Sequence, residues 1–268
     1  NSESAFQQRW FTPPTHQYGK WQLRETAKEE IHSLLADIVY VPPLLDLPPL
    51  VTNPVRVELS PQARDTYKRL EREFIAELGG QTLTAANAAV LQQKLLQLAN
   101  GAIYYEKGKY VELHDAKLER LAELLEDLEG RRVLIAYFFK HDLERIKRML
   151  AGRKERWRVL KTDADEEAWN RGELDWLLLH PQSAGEGRNL HKNGAEDIVW
   201  FGLTPDLLHW LQTNDRLFGG LRRIGKTGAV HFLAADGTVD DDYVDLLKLK
   251  DASQDGLLRA LARRVGAL

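Results

Sequence analysis

Cysteine is absent from these 268 residues, and methionine occurs once. Without cysteine there can be no disulfide, thiolate metal site or cysteine nucleophile, and a cytoplasmic location is expected. Neither charge sign predominates: 37 Lys and Arg stand against 40 Asp and Glu, a formal net charge of −3. No global basic field announces a nucleic-acid partner, though a local strip could still grip a few phosphates. The apolar runs fall far short of a membrane span, so no membrane partner is expected. The opening "NSESAFQQRW" is too polar and mixed for a secretory signal. The eight histidines are scattered, with neither H-x-x-x-H nor a close histidine–carboxylate set, so no metal ligands are assigned. There is no internal repeat and no low-complexity tract.

What is present is ordinary globular material, 43% apolar and 29% charged, enough for one large domain or two modest ones. Residues 1–50 read as a connector: "FTPPT" and "VPPLLDLPPL" are proline-rich bends around one short helix, Glu25 to about Val39. Residues 51–112 read as a helical segment with a hairpin. "NPVRVELS" alternates as a strand, Ser60-Pro61 opens a helix, a second helix runs from about Thr84 to Asn100, and "AIYYEKGKYVEL" turns at Lys107-Gly108. From residue 113 to 237 strands alternate with helices: "RVLIAYF", "WRVLK", "LDWLLLH", "DIVWFGL" and "AVHFLAA" are separated by helical stretches. That rhythm predicts βαβ units, hence an α/β fold with a mostly parallel sheet and helices on both faces. Residues 238–268 read as a C-terminal helical brace opened by Thr238 and Asp241.

The stretch "GGLRRIGKTG" contains G-x-x-x-x-G-K-[ST], the spelling of a phosphate-cradling P-loop. Such a loop works between a strand and a helix, whose first amides meet the phosphates. Here the predicted order is reversed, helix before and strand after, and no buried strand ending in an acidic pair follows to hold magnesium. The spelling reads as coincidence. The same region holds Arg216, Arg222, Arg223 and Lys226. They are either a solvated basic loop or a set of groups aimed at a phosphate from another domain, a task that suits the planar, always-charged guanidinium.

Gly185 and Gly187 follow a buried strand, in the crevice where open α/β sheets bind ligands. They permit close backbone approach or a tight turn, and Ser183 adds a hydroxyl. Phe138, Lys140 and His141 stand at another strand end; the aromatic suits a ligand face or the core equally. The three aspartates Asp240, Asp241 and Asp242 suit a helix N-terminus, and Trp176, Trp200 and Trp210 suit core packing.

The order of these segments resembles the second lobe of superfamily 2 helicase-like ATPases of the Swi/Snf type. "LLLHPQSAGEGRNL" is similar to their motif V, and "QTNDRLFGGLRRIGK" to motif VI, Q-x-x-x-R-x-x-R-x-G-Q. "VHFLAADGTVDDDYVDLLKLKDASQDGLLRAL" resembles the strand and helix that close the lobe. "VLIAYFFKHDLERI" resembles motif IV, "HDAKLERLAELLED" the lobe's opening helix, and "LDLPPLVTNPVRVELSPQARDTYKRLEREFI" the segment joining two lobes. The likeness, strongest to compact phage and prophage helicases, implies a RecA-like lobe of an ATP-dependent translocase on double-stranded DNA. It also implies an N-terminal motor lobe, absent here, that carries the true P-loop and the magnesium carboxylates. A monomeric fragment is expected, without activity by itself and without tightly bound ATP or Mg2+.

By the same resemblance, Arg216 and Arg223 are catalytic arginine fingers, with Arg222 a substitute for the second. Gly185, Gly187 and Gln212 border the nucleotide, and Ser183, Arg188 and Lys140 face DNA. Three departures stand out. The two motif VI arginines are seven apart instead of three, with "GGL" suggesting an insertion; Lys226 replaces the usual glutamine; and Arg188 stands where leucine is frequent, its charge suiting a DNA phosphate or simple solvation. Two other readings remain open from sequence, a non-catalytic DNA- or protein-binding module and a self-contained α/β enzyme.

Overall fold

The structure is a computed structural model and describes residues 3–13, 21–35, 51–77, 85–184, 188–204, 207–223 and 228–248. The chain divides into two compact units, residues 1–46 and 47–268. The first holds α1 (Glu3–Trp10), an antiparallel pair β1 (Phe11–Thr12) and β2 (Gln22–Leu23), and α2 (Ala27–Leu35). The connector thus has one more helix than its prolines suggested. In α2 the predicted apolar helix is seen over residues 27–35, opened by Thr26, whose hydroxyl donates to Glu30 (2.8 Å).

The second unit is built on one six-stranded sheet. Its elements in chain order are β3 (Val51–Val57), α3 (Pro61–Glu77), α4 (Ala85–Ala99), the hairpin β4 (Ala102–Glu106) and β5 (Lys109–Glu112), α5 (Ala116–Asp127), β6 (Val133–Ala136), α6 (Lys140–Leu150), β7 (Trp157–Val159), α7 (Asp163–Asn170), β8 (Trp176–Leu179), α8 (Pro181–Ala184), β9 (Asp197–Trp200), α9 (Leu207–Arg223), β10 (Ala229–Ala235) and α10 (Val239–Lys248). The sheet order is β3-β10-β9-β6-β8-β7, and every pairing is parallel. This is the parallel α/β arrangement that the alternation predicted, and the RecA-like fold that the resemblance implied. Strand β3, ahead of the helix pair in sequence, joins the same sheet as an edge strand. Pro54 is tolerated there because an edge strand leaves one side unpaired.

Period-two alternation divides the apolar residues between two cores, as a sheet covered on both faces requires. Leu134, Leu177, Leu179, Ile198, Trp200 and Phe232 face one way and pack with residues of α4, α7, α9 and α10, among them Leu95, Trp169, Trp210, Leu217 and Tyr243. Val133, Ile135, Trp176, Leu178, Val199 and Leu233 face the other way, onto α5 and α6 through Leu121, Leu125, Ile146 and Leu150. The central strands are therefore continuous apolar runs. Trp176, Trp200 and Trp210 are all core residues, as expected. The predicted extension of the C-terminal helix beyond Lys248 lies outside the described residues.

Candidate functional site

Because all six strands run the same way, their carboxyl ends share one edge, and the segments resembling motifs IV and V leave the sheet there. Lys140 is exposed as the first residue of α6, following β6. His141 is completely buried, stacked on Phe139 (centroids 5.2 Å) and beside Tyr104 (4.9 Å), so it faces the core rather than a ligand. After β8 the chain turns through His180 into α8, where Ser183 is half-buried and its backbone N–H donates to the His180 carbonyl (2.9 Å). Gly185 and Gly187 lie outside the described residues, as does Lys226.

His180 joins these two segments. The Gln182 backbone N–H donates to Nδ1 (3.3 Å), which must therefore be unprotonated, and Nε2–H donates to the Phe138 carbonyl (3.0 Å). The ring stacks on Phe138 with centroids 5.3 Å apart. Burial, reinforced by His209 and opposed by the Phe138 carbonyl and Asp142, pushes its pKa below the ordinary imidazole value. The ring is held neutral.

Helix α9 starts after β9 and runs back along the sheet to β10. Its apolar stripe, Trp210, Leu217 and Phe218, is buried, while Gln212 is exposed and Arg216 half-buried. The helix does not stop at Leu217 as predicted but continues through Gly219 and Gly220 to Arg223. Arg222 and Arg223 are therefore helical positions rather than loop positions. Positions 212, 216 and 223, four and seven apart, fall on one side of the helix. Position 223 stands about one turn, ~6 Å, further along the helix than a three-residue spacing would place it, on nearly the same face. The P-loop spelling starts inside a helix and is followed by β10, the reverse of the context it requires.

Arg188 contacts carboxylates of its own chain. Its Nη1 lies 3.3 Å from both Asp163 Oδ1 and Glu166 Oε2, with the side chain 14% exposed. The stretch that follows reaches α9, where the Leu190 N–H donates to the Arg216 carbonyl (3.4 Å). Motifs V and VI are thus joined through backbone.

Beneath the carboxyl edge lies a buried polar knot that the sequence reading missed. Lys117 Nζ meets Asp240 Oδ2 at 2.6 Å with both side chains fully buried, and donates to Asn100 Oδ1 (2.9 Å). Asn100 Nδ2 donates to Asp142 Oδ2 (3.0 Å), which also accepts the Phe139 N–H (3.0 Å) and so caps α6. Asp240 accepts the Ala235 N–H (2.9 Å) at the end of β10. Arg145 Nη1 donates to the Asn100 carbonyl (2.6 Å). At Gly202, just past β9, there is no room for a side chain against this knot: a Cβ there would lie 2.2 Å from Asn100 Nδ2. The knot ties the ends of β6 and β10 to α4 and α5. Its signal in the sequence is Lys117 itself, which occupies the same helical stripe as Leu121, Leu124 and Leu125.

A six-stranded parallel sheet with helices on both faces, and segments resembling motifs V and VI bonded side by side, define a RecA-like α/β lobe. The chain has the fold of the C-terminal lobe of SWI2/SNF2 ATPases. The Sulfolobus solfataricus SWI2/SNF2 ATPase core in complex with dsDNA superposes with a TM-score of 0.57 at 19% identity, covering 89% of this chain and 54% of that one. The C-terminal part of the Fun30 ATPase domain gives 0.54 at 16% identity, covering 75% and 90%. At such identities the likeness is one of fold. In sequence, protein p41 of Acyrthosiphon pisum secondary endosymbiont phage 1 is 33% identical over 273 residues, 97% of this chain. The chain spans 58% of that relative's length. No family model matches the chain.

Proposed function

We propose that this chain is the second lobe of an ATP-dependent translocase on double-stranded DNA, completed by an N-terminal motor lobe that holds most of the nucleotide site. The observation that carries this reading is helix α9: one flank presents positions 212, 216 and 223, and its backbone is bonded to the segment leaving motif V. The donors fit a triphosphate, since guanidinium groups bind phosphate oxygens in pairs. The magnesium ligands are assigned to the other lobe, as the resemblance to two-lobed motors implies. ATP, when bound with Mg2+, supplies the free energy of phosphoryl transfer.

The residues of this lobe then have distinct tasks. Arg216 and Arg223 neutralise charge developing on the transferred phosphoryl group when the lobes close, with Arg222 as the alternative second finger. Gln212, one turn before Arg216, borders the nucleotide together with Gly185 and Gly187. Lys140 and Ser183, at the carboxyl edge of the sheet, face the DNA backbone, where an ammonium and a hydroxyl suit phosphate oxygens.

The test is ATP turnover by the full-length protein on double-stranded DNA. Arg216→Ala is expected to lower kcat by about 10³-fold or more, the scale of an arginine finger, while Lys226→Ala leaves it nearly unchanged. The opposite pattern, loss in Lys226→Ala with Arg216→Ala active, would restore the P-loop reading and sink this one.

A further inference from the structure

The stretch Arg188–Leu190 belongs to no helix or strand, yet its polar groups are met in succession by α7 and α9. Glu166 accepts twice, from the Asn189 N–H through Oε1 (3.0 Å) and from Arg188 Nη1 through Oε2 (3.3 Å). Asn170 Nδ2 donates to the Asn189 carbonyl (2.9 Å), and Trp169 Nε1 donates to the Leu190 carbonyl (2.9 Å). The Leu190 N–H then donates to the Arg216 carbonyl (3.4 Å). Side chains of one face of α7 replace the neighbouring strand that would otherwise satisfy this backbone.

Two features make Glu166 the centre of this rack. Among the described residues it alone holds both a backbone amide and the Arg188 side chain, which also meets Asp163 and the Thr162 carbonyl, and both partners are sheltered: Arg188 is 14% exposed and Glu166 19%. A pair so enclosed is less screened than a surface pair and gains from its charge-assisted bond. Trp169, fully buried in the core, fixes the helix that presents Glu166.

We infer that Glu166 is a positioning residue: by holding Arg188 and Asn189 it sets the course of residues 188–190, and through the Leu190–Arg216 backbone bond it fixes the arginine helix relative to motif V. The inference rests on the proposed role of Arg216. It assigns Arg188 to this rack instead of to a DNA phosphate, and makes α7 the element through which a displacement of motif V reaches α9.

Two readouts test it. In the 268-residue chain, Glu166→Ala removes both acceptors, and the Asn189 and Leu190 amides should exchange with solvent about tenfold faster or more, as expected of a local opening. The β9 amides Ile198 and Val199 should be unchanged. Glu166→Gln keeps an oxygen for Asn189 and should retain most of that protection. In the full-length protein, Glu166→Ala should lower DNA-stimulated kcat by roughly five- to tenfold with KM for ATP within about twofold, and Glu166→Gln should recover most of the loss.

Unchanged exchange in Glu166→Ala overturns the rack. Faster exchange with unchanged kcat overturns its positioning role. Should Glu166→Ala fail to fold, Asn170→Ala removes the Asn189 carbonyl's donor on the same face, and the same criteria apply to it. A full-length protein with no ATPase activity at all overturns the proposed function instead, and the exchange result still decides whether the rack exists.

Discussion

Lys117 and Asp240 are charged residues placed where charge is disfavoured. Both are withdrawn from water, and each relies on the other at 2.6 Å. Removing one partner of a buried pair leaves an uncompensated charge, which costs about 3–5 kcal/mol. Lys117→Met is therefore expected to lower the unfolding free energy by that amount in a urea titration. The double variant Lys117→Met, Asp240→Asn should cost less than Lys117→Met alone, because the orphaned charge is gone and an amide oxygen remains for the Ala235 N–H. A double variant worse than the single would mean that the pair itself, rather than the orphan, dominates.

His180 provides a second prediction at this scale. Its folded-state pKa is depressed, mainly by burial, so the unfolded chain binds its proton more readily. The stability that neutral His180 contributes is present above the ordinary imidazole pKa of about 6.5 and is lost as pH falls through the lower folded value. His114, also buried and depressed, acts in the same direction. The slope due to His180 is the difference between wild type and His180→Gln, whose amide can donate to Phe138 and accept from Gln182 without titrating. The urea midpoint of wild type should fall more steeply below pH 6.5 than that of the variant; parallel curves would exclude His180 as a source of the acid sensitivity.

At the scale of elements, most helices and strands of the second unit were legible because their periods are clean. Leu118, Leu121 and Leu125 announce α5, and "VLIA" and "WLLL" announce strands buried on both faces. The end of α9 was not legible. Paired glycines usually stop a helix, since each costs about 1 kcal/mol relative to alanine, but here the helix passes through them to Arg223. Tertiary packing accounts for part of this: Leu217 and Phe218 are completely buried just before the glycines. The polar knot was illegible for another reason. Asn100, Lys117, Asp142 and Asp240 are distant in sequence, and only the folded sheet brings the strand ends together.

The glycines suggest a direct test of that helix. A Cβ on Gly219 would sit 2.9 Å from Asp215 Oδ1, the mobile end of an exposed side chain. Asp215 can rotate away, so Gly219→Ala should stabilise the chain by roughly 0.5–1 kcal/mol, seen as a higher melting temperature. Destabilisation would show that the carboxylate is held in place by a partner it cannot leave.

For the whole molecule, the balance of charge and the direction of the helices set what the chain can do alone. Parallel strands with right-handed crossovers bring helix N-termini to the carboxyl edge of the sheet, where their dipoles would favour a phosphate. Several of these ends are already occupied by carboxylates of the chain, α7 by Asp165, which accepts the Thr162 N–H. Asp142 accepts the Phe139 N–H at α6, and Asp240 and Asp241 accept the Ala235 and Gly237 N–H groups at α10. A net charge of −3 adds no long-range attraction for an anion. The arginines proposed to meet the nucleotide belong instead to positions 216 and 223 of α9, which share one side of the helix and suit a phosphate presented by the proposed second lobe. The 268-residue chain by itself should therefore show no DNA-stimulated ATP hydrolysis above background. Adding the separately produced N-terminal lobe should restore turnover, and that restored rate should vanish in Arg216→Ala. Turnover by the chain alone that disappears in Lys226→Ala would mean that the glycine–lysine–threonine stretch cradles phosphate after all.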